Sequence, residues 1–145
     1  MKVCVSHRID AVTYMKLKTI KMTVNFKAEP HKVYEILMDS KKHSELTGSK
    51  AVISRKEGGK FSAYEGWLYG KNVKLIPDKK IAQSWRNYEW KEKDHYSTLT
   101  FTLSKTKTGT KLVMIHEGVP DYDYEGVKQG WVEYYFEPMK EMLKK

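Results

Sequence analysis

From Lys18 to Phe26 the apolar residues Ile20, Met22, Val24 and Phe26 alternate with Lys21, Thr23 and Asn25. A period of two marks a strand with one face packed and the other wet, so a strand is predicted over 18–26. The period then changes. Pro30 stands where the first turn of a helix tolerates proline, and Val33, Tyr34, Ile36 and Leu37 follow at helical spacing, which predicts a short helix from Pro30 to Met38. Asp39 and Ser40 are candidate N-caps for a second short helix that holds His43 and Leu46 and ends at Gly48.

Six β-type runs come next, separated by turn residues: Ala51 to Arg55, Lys60 to Tyr64, Trp67 to Ile76, Lys80 to Tyr88, Ser97 to Lys105 and Thr110 to Glu117. Gly58-Gly59, Pro77-Asp78 and Thr108-Gly109 supply tight turns, and Leu99, Phe101 and Leu103 share one face. With no helix between these runs to serve as a crossover, they pair as an antiparallel meander. After Pro120 the pattern turns helical once more. Val127, Trp131, Tyr134 or Tyr135, Pro138 and Met142 fall on one stripe of a long closing helix, which Pro138 is expected to bend near its end. The expected class is therefore α+β: a curved antiparallel sheet, two short helices and a long C-terminal helix. Residues 1–17 form an extension, either an edge strand or a tail, ahead of one domain over 18–145.

Composition narrows the function classes. At 145 residues and 40% hydrophobic content the chain fits one domain that buries about two-thirds of its unfolded surface. No run approaches the roughly 20 apolar residues of a transmembrane helix, and the start has no leader-like apolar core, so a cytoplasmic protein without membrane insertion is expected. A single cysteine, Cys4, excludes an internal disulfide and fits a reducing compartment. Twenty-seven Lys and Arg against 18 Asp and Glu favour anionic partners. The cations are scattered singly or in pairs, as on a solvated surface, and specific nucleic-acid binding is not expected.

Catalytic and metal chemistry find no foothold. His7, His31, His43, His95 and His116 stand in unrelated contexts without zinc-type spacing, so no metal site and no cofactor are predicted. Nucleophile elbow, phosphate loop and dinucleotide fingerprint are all missing. His116 beside Glu117 is the one acid–base candidate, but strand neighbours point to opposite faces, so no catalytic residue is assigned. Trp85-Arg86 should likewise send an aromatic to one face and a cation to the other. The four tryptophans and ten tyrosines either fill a core or line a cavity. Trp85, His116, Trp131 and Tyr135 are the candidate lining residues for a small apolar ligand held between sheet and C-terminal helix.

Several strings carry a family resemblance spread over residues 18–144. They are FKAEPHKVYEILMD (26–39), LTGSKAVISRKEGGKF (46–61), the Gly66 to Gly70 strand, LIPDKKIAQSWRNYEW (75–90), HYSTLTFTL (95–103), HEGVP (116–120) and GVKQGWVEYYFEPMKEML (126–143). Together they resemble the C-terminal-type domain of the activator of heat-shock protein 90 ATPase, within the START-like, or SRPBCC, superfamily. The resemblance implies the helix-grip, Bet v-like fold, often with an apolar cavity. It also implies a non-enzymatic binding module with heat-shock protein 90 as partner and a role in chaperone regulation. In the eukaryotic activators a separate N-terminal domain binds the chaperone's middle segment, and residues 18–144 are expected to correspond to the C-terminal-type domain without it. The alternative function is a carrier or sensor of a small apolar ligand.

Overall fold

The computed structural model describes residues 16–144. Seven strands form one antiparallel sheet in the order β1-β7-β6-β5-β4-β3-β2. They are β1 (Leu17–Phe26), β2 (Val52–Ile53), β3 (Lys60–Ala63), β4 (Leu68–Ile76), β5 (Lys80–Asn87), β6 (Ser97–Lys105) and β7 (Thr110–Pro120). The six later strands are sequential neighbours, the meander expected from their turn signals. β1 sits outside that meander and closes onto β7, from Leu17 opposite Pro120 to Phe26 opposite Thr110. Two helices, α1 (Pro30–Met38) and α2 (Ser40–Thr47), carry the chain from the β1 edge to the β2 edge. Among the described residues no helix is long and apolar enough to cross a membrane.

Local chemistry explains the boundaries. The Asp39 carboxylate accepts from the Lys42 amide at 2.9 Å and starts α2, while Gly48, at φ 73°, ends it in the left-handed conformation. The run expected over 51–55 shortens to two paired residues because α2 takes over the edge. The Ser44 and Ser40 hydroxyls accept from the amides of Ala51 and Ile53 at 2.9 and 2.8 Å. This capping closes an edge that would otherwise invite a foreign strand. At the other end β7 runs three residues beyond the expected Glu117, since β1 begins at Leu17 and gives it a partner. The expected extension therefore overlaps β1 at its last residue; positions 1–15, with Cys4 and His7, lie outside the described residues.

The closing helix has three consecutive parts: α3 (Tyr124–Gly130), a π-helical turn (Trp131–Phe136) and α4 (Glu137–Met142). Pro138 provides the physical reason. It has no amide to donate, and the wider turn ahead of it, where the Glu137 amide bonds to Val132 O five residues back, places it at the start of α4, where no donor is needed. The extra residue turns both Tyr135 and Phe136 inward and leaves Tyr134 half exposed. The buried stripe is thus Val127, Trp131, Tyr135, Phe136 and Met139; Pro138 and Met142, expected on it, are only partly covered.

The core lies between the inner face of the sheet and the three helical segments, with Ile20, Leu99, Phe101, Leu112 and Met114 from the strands against Val33, Leu37, Trp131 and Met139. Gly70, on β4, is where the sheet tolerates no side chain. A Cβ there would come within 1.8 Å of the Ser84 carbonyl oxygen and 3.0 Å of the Phe61 ring. Gly70→Ala should therefore destabilise the fold by about 1–3 kcal/mol, the usual range for overpacking, read as a lower urea midpoint with unchanged slope.

Candidate functional site

Trp85 and His116 project from the inner faces of β5 and β7, and Trp131 and Tyr135 meet them from the closing helix. The ring centroids of Trp85 and His116 are 4.7 Å apart, those of Trp85 and Trp131 6.0 Å, and those of Trp131 and Tyr135 4.7 Å. Edge and tilted geometries of this kind add about 0.5–1.5 kcal/mol per pair beyond the buried area. The structure thus brings all four sequence candidates into one cluster, each 5% exposed or less.

Hydrogen bonds fix the protonation of that cluster. Trp131 Nε1–H donates to His116 Nδ1 at 3.0 Å, which leaves the ring proton on Nε2. Nε2–H then donates to Ser97 Oγ at 2.8 Å, and the Ser97 hydroxyl donates to the Trp85 carbonyl at 2.7 Å. The relay from Trp131 through His116 and Ser97 to the Trp85 carbonyl therefore runs in one direction only. Burial with no carboxylate nearby pushes the His116 pKa down to about 3, so the ring is neutral near pH 7. Glu117 points to solvent from the opposite face, and the sequence-level acid–base pair does not form.

A second bridge ties the helix to α2. His43 Nδ1–H donates to Leu37 O at 3.1 Å, and Nε2 accepts from the Tyr135 hydroxyl at 2.8 Å. Burial lowers the His43 pKa, against the opposing effect of the Leu37 hydrogen bond, and raises that of Tyr135, so both stay neutral. His43 was legible as a helix residue but not as Tyr135's partner. The pair is 92 positions apart and nothing local signals it.

Two spaces adjoin the cluster. Between sheet and helix the packing leaves only about 20 Å³, bordered by Trp85, Trp131, Tyr135 and His43. Beside it opens a groove of about 710 Å³ whose apolar walls are Tyr64, Trp67, Trp85, Trp131, Tyr134 and Tyr135. His116 lines neither space, because its ring edges are spent on Trp131 and Ser97. The rim at Tyr64–Gly66 is strained: Tyr64, Glu65 and Gly66 have φ of 51°, 55° and 98°. Left-handed backbone at two non-glycine residues in succession is uncommon and costs about 1–3 kcal/mol each. Among the described residues no three His, Cys, Asp or Glu side chains converge as metal ligands.

Arg86 carries a feature that strand alternation alone does not predict. As expected it faces away from Trp85, but it is buried, not solvated, at 2% exposure. The loop between β5 and β6 folds over it, offering the carbonyls of Trp90, Glu92, Lys93 and His95 at 2.7–3.2 Å. Its Nε has no partner, and no carboxylate pairs with the guanidinium among the described residues. The same loop inserts Trp90, whose Nε1–H donates to Asp123 at 2.6 Å and so pins the start of the closing helix.

Comparison with known proteins agrees with this architecture. The family described as "Activator of Hsp90 ATPase homolog 1-like protein" matches residues 27–144. The mouse activator of 90 kDa heat shock protein ATPase homolog 1 is 33% identical over 129 residues, 88% of this chain and 38% of that protein. The Dictyostelium discoideum activator homolog is 33% identical over 115 residues, 79% of this chain and 30% of the relative. The chain thus spans well under half the length of these curated relatives. Among solved structures, an HSP90 activator from Plasmodium falciparum superposes with a TM-score of 0.80 at 27% identity, covering 87% of this chain and 96% of that one. A Mesorhizobium loti protein gives 0.75 at 26% identity, with 88% and 97% covered. A sheet closed by a helix through Trp131 and His116, and a family match running from residue 27, just after β1, to the end of that helix, lead to one assignment: the chain belongs to the Activator of Hsp90 ATPase homolog 1-like protein family.

Proposed function

We propose that this chain is a non-catalytic binding module that docks on Hsp90 and modulates its ATPase. The observation that carries the reading is the closed interior. His116, Ser97, Trp131, His43 and Tyr135 use their polar atoms on one another or on backbone, and the packing between sheet and helix leaves only about 20 Å³. An acid or base spent in this way has no reach to a substrate, which moves function to the surface. Relatives named as activators of the chaperone's ATPase supply the partner. A formal charge of +9 suits an acidic one, through complementary long-range fields.

The test is an NMR titration of isotope-labelled protein with Hsp90 from the same organism, read alongside the chaperone's ATPase rate. Shifts confined to one face, weakened by raised salt as exposed charges are screened, are expected together with a changed rate. An unchanged spectrum and rate would overturn the assignment. The second reading, a carrier of a small apolar molecule, rests on the groove beside Trp131, whose volume and aromatic walls suit such a ligand. In that case an apolar ligand would shift Tyr64, Trp67 and Tyr134 while Hsp90 would not.

A further inference from the structure

We infer that the groove on the outer face of β3, β4 and β5 is a docking site for an acidic polypeptide segment of a protein partner. For the partner's identity this rests on the chaperone-regulator reading; the chemistry of the groove stands apart from it. The strand register sends six lysines to the face away from the helices: Lys21, Lys60, Lys71, Lys74, Lys80 and Lys111. The one acidic strand residue facing the same way is Glu117. Among the described residues none of the six lysines is in an ion pair; the pairs formed use Lys18, His31, Arg55, Lys105 and Lys144.

Lys60 and Lys71 form a like-charged cross-strand pair within this field. They stand directly opposite each other on adjacent strands, an arrangement in which like charges destabilise a sheet. Both border a groove of about 670 Å³, together with Val52, Ser62, Tyr69 and Tyr96. Behind its aromatic wall lies Arg86, whose guanidinium is 5.9 Å from the Tyr69 ring and 6.0 Å from the Tyr96 ring. That buried cation is met only by neutral carbonyls, with its Nε unpartnered, so the groove has positive charge at its mouth and behind its wall. A concave site with uncompensated cations focuses the field on an incoming anion.

The details favour carboxylates on a polypeptide over nucleic acid. Bidentate phosphate recognition uses free guanidinium forks, and both described arginines are engaged, Arg55 with Glu35 and Arg86 with the loop carbonyls. Bases need a flat aromatic platform, but Tyr69 and Tyr96 meet edge-on at 83°. The partner also lies across the face instead of extending the sheet at β2, since Ser40 and Ser44 already occupy the amides of Ile53 and Ala51 along that edge. Lysine ammonium groups around hydroxyls of Ser62, Ser84 and Tyr96 match a run of Asp or Glu side chains.

The experiment titrates labelled protein with a short polyglutamate peptide, a single-stranded oligonucleotide of equal charge, and Hsp90. The variants are Lys60→Glu/Lys71→Glu in the groove and, as a control with the same charge change, Lys41→Glu/Lys42→Glu on α2; all four positions are exposed. Polyglutamate should shift the amides of Lys60, Ser62, Tyr69, Lys71 and Tyr96. The groove variant should weaken both polyglutamate and Hsp90 by at least about tenfold while the control stays within about twofold of wild type. Equal losses in the two variants, or none in the groove variant, would overturn the site even if Hsp90 binds. Tighter binding of the oligonucleotide would overturn the polypeptide assignment. Polyglutamate binding without Hsp90 binding would keep the groove and remove the chaperone as its partner.

Discussion

Replacing Trp131 by alanine should lower the free energy of unfolding by about 3–5 kcal/mol, a large part of the roughly 5–15 kcal/mol typical of a domain. Three losses coincide at this position. The indole is 5% exposed and packs on Trp85, Phe101, His116, Tyr135 and Phe136, so its removal opens a cavity at the centre of the core. It is also the donor to His116 Nδ1, an acceptor that would be left dry or forced to change tautomer, which breaks the bond to Ser97. Finally it anchors the π-helical turn, whose Tyr135 holds His43 on α2. Trp131→Phe separates these losses. It keeps part of the ring packing and removes the donor, and should cost less than the alanine variant, about 1–3 kcal/mol. Urea unfolding at pH 7 measures both. A loss near zero for Trp131→Ala would mean that the helix is not held to the sheet through this side chain.

The same cluster shows how far residue patterns alone could reach. Period-two alternation and the Pro30 start place β1 and α1 almost to the residue, because each rests on local stereochemistry that tertiary packing does not override. Asp39 and Gly48 are visible as caps for the same reason. The π-turn is different. Pro138 announces a lost donor, but whether the chain bends or widens depends on what Tyr135 and Phe136 can bury, and that is decided by residues from α2 and the sheet. Arg86 reads as an outward cation on a strand; only the loop that folds back from Trp90 to His95 makes it a buried one. The ring of His116 faces the core as alternation requires, yet its role as acceptor from Trp131 needs the helix to be in place. Of the four residues chosen as cavity lining, Trp85, Trp131 and Tyr135 border the groove, and His116 lies behind them in the closed network. Aromatic size marked the cluster, whereas hydrogen-bond direction separated lining from scaffold.

Acid should unfold the protein earlier than its packing alone would suggest, and the histidines are the cause. The folded-state pKa of His116 is about 3 against an ordinary 6.5, and that of His43 is also lowered, in both cases through burial. The unfolded chain therefore takes up these protons first. Between about pH 6.5 and about pH 3 it holds a proton on residue 116 that the folded state refuses, and stability falls as pH falls through this window. The slope from His116 alone is about 1.4 kcal/mol per pH unit, giving a loss of about 3 kcal/mol by pH 4.5 and about 5 kcal/mol near pH 3. Nothing in the cluster compensates, since Trp85, Ser97 and Trp131 are all uncharged. Protonated His116 would aim an N–H from Nδ1 at the Trp131 donor, and the helix would lose its link to β7. Protonated His43 likewise meets a Tyr135 hydroxyl that now has to reverse its hydrogen bond. Self-repulsion in a chain of formal charge +9 rises as carboxylates are neutralised and adds to the effect. Urea midpoints at pH 7, 6, 5 and 4 should decline throughout, while imidazole nitrogen shifts show His116 as the neutral Nε2–H tautomer at pH 5. A flat midpoint across that range, or a protonated His116 at pH 5 in the folded protein, would show that the helix is not closed on the sheet through a dry histidine.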